Sequence, residues 1–144
     1  MRVVVADDST LLREGLVRLL EELAKSRRGS FLAVLKTMGR ASEGLMSFPH
    51  PGWTLAVDLP NDPGLDDFLH TLDVITVEHG GRRYLAKDAS MRAEMVAPMY
   101  PRLREFREVT ARLDPEGRVR SSLSRRLGLR GAGLPRALAA GAMA

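Results

Sequence analysis

Cysteine is absent from the chain. That removes disulfide staples, thiolate metal sites and a cysteine nucleophile from consideration. A chain without disulfides fits a reducing compartment, and a cytoplasmic location is the expectation. Aromatic residues are scarce, with one Trp, two Tyr and four Phe. Long apolar runs are missing, and nothing approaches the ~20 residues that cross a bilayer. The opening run Val3–Ala6 stops at Asp7 and Asp8, too soon for the apolar segment of a secretory signal. A soluble chain without a transmembrane segment is expected, with peripheral contact to a membrane left open.

What is present is basic charge, concentrated late. Lys and Arg total 22 against 18 Asp and Glu, a net charge of +4, and ten arginines fall between Arg102 and Arg136. Such a density can meet phosphate, in nucleic acid or in a lipid head. It can equally be a solvated helix face, since Glu105 and Glu108 are interleaved. With few aromatics and no nucleic-acid motif, the second reading is preferred and nucleic acid is not an expected partner. The 144 residues, 44% of them hydrophobic, suit one domain.

Local patterns give the elements. Arg2–Ala6 reads as a buried strand. Asp8 or Ser9 can cap a helix from Thr10 to about Ala24, whose leucines recur at helical spacing. Lys25–Ser30 reads as a loop. Strands are expected at Phe31–Met38 and Trp53–Leu59, on either side of a Gly-, Ser- and Pro-rich loop, Gly39–Pro51. Trp53 is expected in the core. Pro60–Pro63 turns the chain, and a helix follows from about Asp62 to His79, ended by Gly80-Gly81. Arg82–Ala86 reads as a short strand. Ser90 can cap a helix at Met91–Met99, and Pro101 can open another at Arg102–Leu113. Asp114-Pro115-Glu116-Gly117 has turn composition, and Ser121–Leu127 can form a last helical turn or two. Met99–Leu103 is expected as a packing unit at a helix start. Residues 130–144 are expected to form a flexible tail. His50 reads as a loop residue and His70 and His79 as surface residues, with no metal site.

Two resemblances divide the chain. Residues 1–23, MRVVVADDSTLLREGLVRLLEEL, resemble the start of a response-regulator receiver, and a receiver-like unit is assigned to 1–24. Adjacent carboxylates such as Asp7 and Asp8 can hold Mg²⁺ through oxygen ligands. Asp58, ending WTLAVD, and Lys87, within YLAKDAS, would then be acceptor and lysine. Spacing argues against this. Only 28 residues separate Asp58 from Lys87, where a receiver needs two helices and two strands of ~11 and ~5 residues each.

From Ser30 onward stand SFLAVLK (30–36), LMSFPHPGWTLAVDLP (45–60), GLDDFLHTLD (64–73), GGRRYLAKDAS (80–90) and MYPRLREFREVTARLDPEGRVRSSLSRRLGL (99–129). In order and spacing they resemble the C-terminal end of FAD-linked oxidases of the vanillyl-alcohol-oxidase superfamily, a domain of the D-arabinono-lactone oxidase type. The resemblance covers residues 28–129. It points to the group that oxidises the 2′ position of a ribose carried on decaprenyl phosphate.

The resemblance implies that FAD accepts hydride from that 2′ carbon and that a short-chain reductase then reduces the keto product. Lys87 matches an active-site lysine of the group, Tyr84 a hydroxyl-bearing aromatic of the same pocket, and Lys36 a second pocket lysine. Thr54 stands where mycobacterial members carry asparagine, and Ala56 where they carry cysteine. A desolvated lysine near flavin can stabilise a reduced ring or a developing alkoxide, or anchor a phosphate as a point charge. Without the resemblance, Lys87 beside Asp88 reads as a strand-end surface pair worth ~1 kcal/mol or less.

The FAD-binding domain of the group has no counterpart in these residues, and Gly80-Gly81 is not a G-x-G-x-x-G fingerprint. The expected fold class is α+β, a small antiparallel sheet with helices packed on one face, forming part of an oxidase substrate domain. The expected function is a truncated flavin-dependent sugar oxidase, inactive alone, that takes a lipid-phosphate sugar and could complement an FAD-binding domain in trans. The alternatives are a degenerate receiver serving as a phosphorylation-linked interaction module, and a partly folded fusion product.

Overall fold

A computed structural model describes residues 10–28 and 32–130. The expected strand at Arg2–Ala6, the Asp7-Asp8 pair, the caps Asp8 and Ser9 and the expected tail after Arg130 lie outside the described residues. Helix α1 spans Thr10–Ser26 and so takes in Lys25 and Ser26, expected as loop. It stops where Ser26 Oγ donates to the Leu23 carbonyl at 2.8 Å and Arg27 adopts φ 53. Strands β1 (Ala33–Met38) and β2 (Gly52–Val57) follow. They pair antiparallel, with Ala33 opposite Val57 and Met38 opposite Gly52. Helix α2 spans Leu65–Glu78. It begins three residues later than Asp62 because Gly64 sits at φ 83, in a region where glycine has no steric penalty. Short helix α3 (Val96–Met99), then α4 (Leu103–Leu113) and α5 (Ser122–Arg126) complete an α+β arrangement.

Burial falls in two places. Helix α1 packs against α2 and meets β2. Leu16 and Ile75 are buried there, and Gly15 permits the approach: a Cβ at that position would stand 2.7 Å from the His79 Cβ. The larger core is helical and late in the chain, made of Met91, Met95, Val96, Met99, Tyr100, Leu103, Leu127 and Leu129. Three of these are methionines, whose unbranched side chains fill the irregular gaps left by short helices. Met99, Tyr100 and Leu103 are almost wholly enclosed, so the Met99–Leu103 segment is the packing unit its composition implied.

The structure corrects several sequence readings. Arg82–Ala86 is not a strand: it runs unpaired into a 3-10 turn at Leu85–Lys87, and the sheet among the described residues has two strands. Its backbone is engaged by core side chains instead, since Arg83 N donates to Met99 Sδ and Arg83 O accepts the Tyr100 hydroxyl at 2.6 Å. The helix expected at Met91–Met99 splits into a 3-10 turn, Ala93–Met95, and α3. Pro98 is tolerated only in a first helical turn, so an α-helix containing it must start nearby. Ser90 is not its cap; the Asp88 carboxylate accepts from Ser90 N and Met91 N instead. Trp53 is 36% exposed rather than core, because neither strand contributes a fully buried residue. His70 and His79 are half-buried rather than surface residues. His79 lies against Gly15 and its Nδ1 meets the Ile75 carbonyl at 2.8 Å.

The late arginines divide. Arg102–Glu105 and Arg104–Glu108 are the solvated helix-face pairs that the interleaving suggested. Others clamp backbone. Arg107 donates twice to the Gly128 carbonyl, Arg126 donates to Met91 O at 2.6 Å, and Arg130 donates to Asp114 O at 2.7 Å. The turn at Asp114–Gly117 is built on one carboxylate. Asp114 accepts from Arg118 N and Val119 N at 2.8 Å each and pairs with Arg130. The Val119 and Arg118 N–H groups, aided by Arg130, hold its carboxyl down to about 2.

Two outcomes test this packing. Gly15→Ala should cost about 1–3 kcal/mol in urea unfolding, because the new methyl overlaps His79 at the α1–α2 crossing; an unchanged midpoint would mean that the helices separate freely. The stability that Asp114 contributes is full above the ordinary value of 3.8 and is lost as pH falls toward about 2. Over that acid interval the melting temperature of Asp114→Asn should change less than that of the unsubstituted chain. Equal slopes would remove Asp114 from the account of acid sensitivity.

Candidate active site

The four site residues expected from sequence form two pairs. Lys36 and Thr54 stand directly opposite each other across β1 and β2, so their side chains share one face of the sheet at ~5 Å between Cβ atoms. Lys36 is exposed and Thr54 half-buried. Tyr84 and Lys87 are joined by the 3-10 turn, in which Lys87 N donates to Tyr84 O at 3.2 Å. Tyr84 caps that turn with extended backbone and Lys87 closes it, so the exposed phenol and ammonium leave the two ends of one short turn.

One loop ties the pairs together. Residues 39–51 leave the strand of Lys36 and enter the strand of Thr54, and midway they dock on the segment carrying Tyr84. Phe48 and Tyr84 rings lie 4.8 Å apart, tilted by 42°. Arg82 sits over the Tyr100 ring at 5.7 Å and donates to Ser47 O at 2.8 Å. The aromatic pair forms a ledge, with Tyr84 47% exposed and three residues before Lys87 in the chain. Lys87 is exposed as well.

Beneath Lys87 lies an ionic cluster that sequence reading missed. The Asp88 side chain is shut off from solvent. It accepts from Ser90 N at 3.1 Å, Met91 N at 2.7 Å and Arg126 at 2.5 Å, with Arg83 at 3.7 Å. Arg83 also donates to Asp73 at 2.9 Å and to Ser90 Oγ at 3.0 Å. The two carboxyls move in opposite directions. Burial pushes Asp73 up, against the pull of Arg83. Burial also works against Asp88, but Arg126, the two N–H groups and Arg83 outweigh it and hold that carboxyl below its ordinary value. The available sequence signal was Asp88-Ala89-Ser90, an aspartate placed to accept from N–H groups two and three residues on.

Other expected features are not brought into this site. Asp58 follows an antiparallel strand, and Lys87 sits on a 3-10 turn rather than a strand end. The parallel-sheet geometry that a receiver requires is not what the described residues form. A shallow groove of about 400 Å³ lies on α1, lined by Arg13, Glu14, Val17, Arg18, Glu21 and His79; none of the four site residues borders it. No described helix is long and apolar enough to cross a membrane.

Comparison with known proteins gives matches over part of the chain. Residues 57–127, just under half of the chain, match the D-arabinono-1,4-lactone oxidase family model. That stretch contains Tyr84, Lys87, the whole ionic cluster and most of the larger core, and leaves out Lys36 and Thr54. The chain is 40% identical over 111 residues to the decaprenylphosphoryl-beta-D-ribose oxidase of Mycolicibacterium smegmatis, covering 77% of this chain and 24% of that protein. It is 41% identical over 120 residues to an uncharacterized protein in the mprA 5′ region of Streptomyces coelicolor, covering 83% of this chain and 32% of that protein. The chain thus spans a quarter to a third of these relatives and carries an oxidase-like segment.

Removing the central acceptor should be far costlier than removing the exposed lysine in front of it. Asp88→Ala leaves two N–H groups and parts of two guanidinium groups unmatched, at about 3 kcal/mol. Lys87→Ala should stay within about 0.5 kcal/mol. Urea titration of both variants decides the matter, and an Asp88 variant as stable as the parent would dismiss the cluster as an anchor.

Proposed function

We propose that residues 32–130 form part of the substrate domain of an FAD-linked sugar oxidase, working against an FAD-binding domain supplied in trans and inactive alone. The observation that carries this reading is the Tyr84–Lys87 turn: an exposed phenol and an exposed cation at the two ends of one 3-10 turn, within the family-matched stretch. The exposed cation and the Phe48–Tyr84 ledge fit one wall of a flavin and sugar site. When bound, FAD supplies the hydride acceptor. Lys87 places positive charge where negative charge develops on the sugar oxygen. Tyr84 orients the sugar through its hydroxyl, Phe48 backs the ring, and Lys36 with Thr54 makes a second polar bank on the sheet.

The proposed substrate is a ribose on a lipid phosphate, oxidised at its 2′ carbon, by analogy with the substrate in the name of the mycobacterial relative. A short-chain reductase that consumes the keto product, and a cytoplasmic setting with membrane contact for substrate access, follow from the same reading. Helix α1, of receiver-like sequence, packs on α2 and meets β2. We take it to replace the helix that would precede β1 in the oxidases, since an apolar stripe of the right period suffices for such packing.

Visible absorbance of the purified chain, with and without FAD and after desalting, tests the first half of the proposal. The chain alone should be colourless. With the FAD-binding part of the mycobacterial relative added, it should restore sugar oxidation that Lys87→Ala reduces by about 100-fold. Flavin retained by the chain alone would contradict the need for a partner. No restored oxidation would sink the substrate-domain reading.

A further inference from the structure

Among the described residues, the two most exposed large apolar side chains are neighbours on one turn. Leu113 is 81% exposed and Val119 76%. Leu113 ends α4, and the Val119 N–H is bonded to the carboxylate of Asp114, the next residue, so both project from the same tip. The backbone beneath them is locked. Asp114 accepts from Arg118 N and Val119 N, Gly117 N donates to Asp114 O at 3.0 Å, and Arg130 ties Asp114 to the end of the described chain. Gly117 sits at φ 63, a left-handed conformation that residues with a side chain rarely adopt.

The charges around this tip are mostly of one sign. Arg112, Arg118 and Arg120 are exposed on it, against Glu116, which pairs with Arg118 at 2.6 Å. Asp114 is largely enclosed and already matched by Arg130.

We propose that this tip docks on an anionic lipid surface, with Leu113 and Val119 entering the headgroup boundary and the arginines meeting lipid phosphates. Two apolar side chains in water gain nothing from being held rigidly outward, whereas at a bilayer boundary they are buried without further ordering. The arginines supply the second attraction that stable surface binding requires, roughly fivefold in partitioning for each one near an anionic surface. The proposal rests on the tip alone and stands whether or not the chain takes part in sugar oxidation.

Cosedimentation of the full chain with lipid vesicles tests it. Vesicles containing phosphatidylglycerol should bind the chain, and vesicles of phosphatidylcholine alone should bind it much less. The double variant Leu113→Gln, Val119→Gln should lower binding roughly tenfold, with an unchanged melting temperature because both residues are exposed. Arg112→Glu with Arg120→Glu should lower it roughly 25-fold or more. The same charge change at exposed Arg13 and Arg40 should matter less. Binding that survives loss of Leu113 and Val119, or that falls equally with Arg13 and Arg40, would be general adsorption of a basic protein and would overturn the proposal. So would absence of binding to anionic vesicles, which would leave the tip to a protein partner or a second copy.

Discussion

A carboxylate without solvent must be met by donors, and much of the helical half of this molecule is arranged around Asp88. Its donors come from the backbone that opens the Met91 segment, from α5 through Arg126, and from the extended run before the 3-10 turn through Arg83. Arg83 carries the link on to Asp73 of α2. The segment from Asp73 to Met91 is thereby tied together and joined to the distant α5. The turn carrying Lys87 has little freedom as a result, although Lys87 itself faces water.

The rest of the packing serves the same end. Short helices cannot each bury a wide stripe, so the larger core is assembled from methionines, Tyr100 and leucines drawn from several pieces. Guanidinium groups then close the carbonyls that these pieces leave open, as Arg107 does at Gly128 and Arg126 at Met91. Helix α1 and the two strands form a second, thinner layer. The packing of α1 on α2 depends on Gly15, where a Cβ would stand 2.7 Å from the His79 Cβ.

This division bears on function. The family-matched stretch coincides with the well-packed helical unit and the turn carrying Tyr84 and Lys87. The sheet with Lys36 and Thr54 lies almost wholly before it and keeps much of its surface open. The 3-10 turn leaves Tyr84 and Lys87 exposed at its two ends, and both belong to the family-matched stretch.

The sequence by itself determined the elements whose signals are local: the α1 and α2 stripes, the glycine stop at Gly80, the two strands and the turn at Asp114. It also determined the oxidase resemblance, since ordered short motifs survive without knowledge of their contacts. Only the tertiary structure decided that Arg82–Ala86 is not a strand, because its N–H and C=O groups are claimed by Met99 and Tyr100, residues more than a dozen positions away. Only there did Trp53 prove half-open, for a lone tryptophan cannot be buried where just two strands and one helix meet. The arginines show the limit most plainly. In sequence Arg104, Arg107 and Arg126 look alike, and what separates a solvated charge from a backbone clamp is which carbonyl or carboxylate the fold brings within reach.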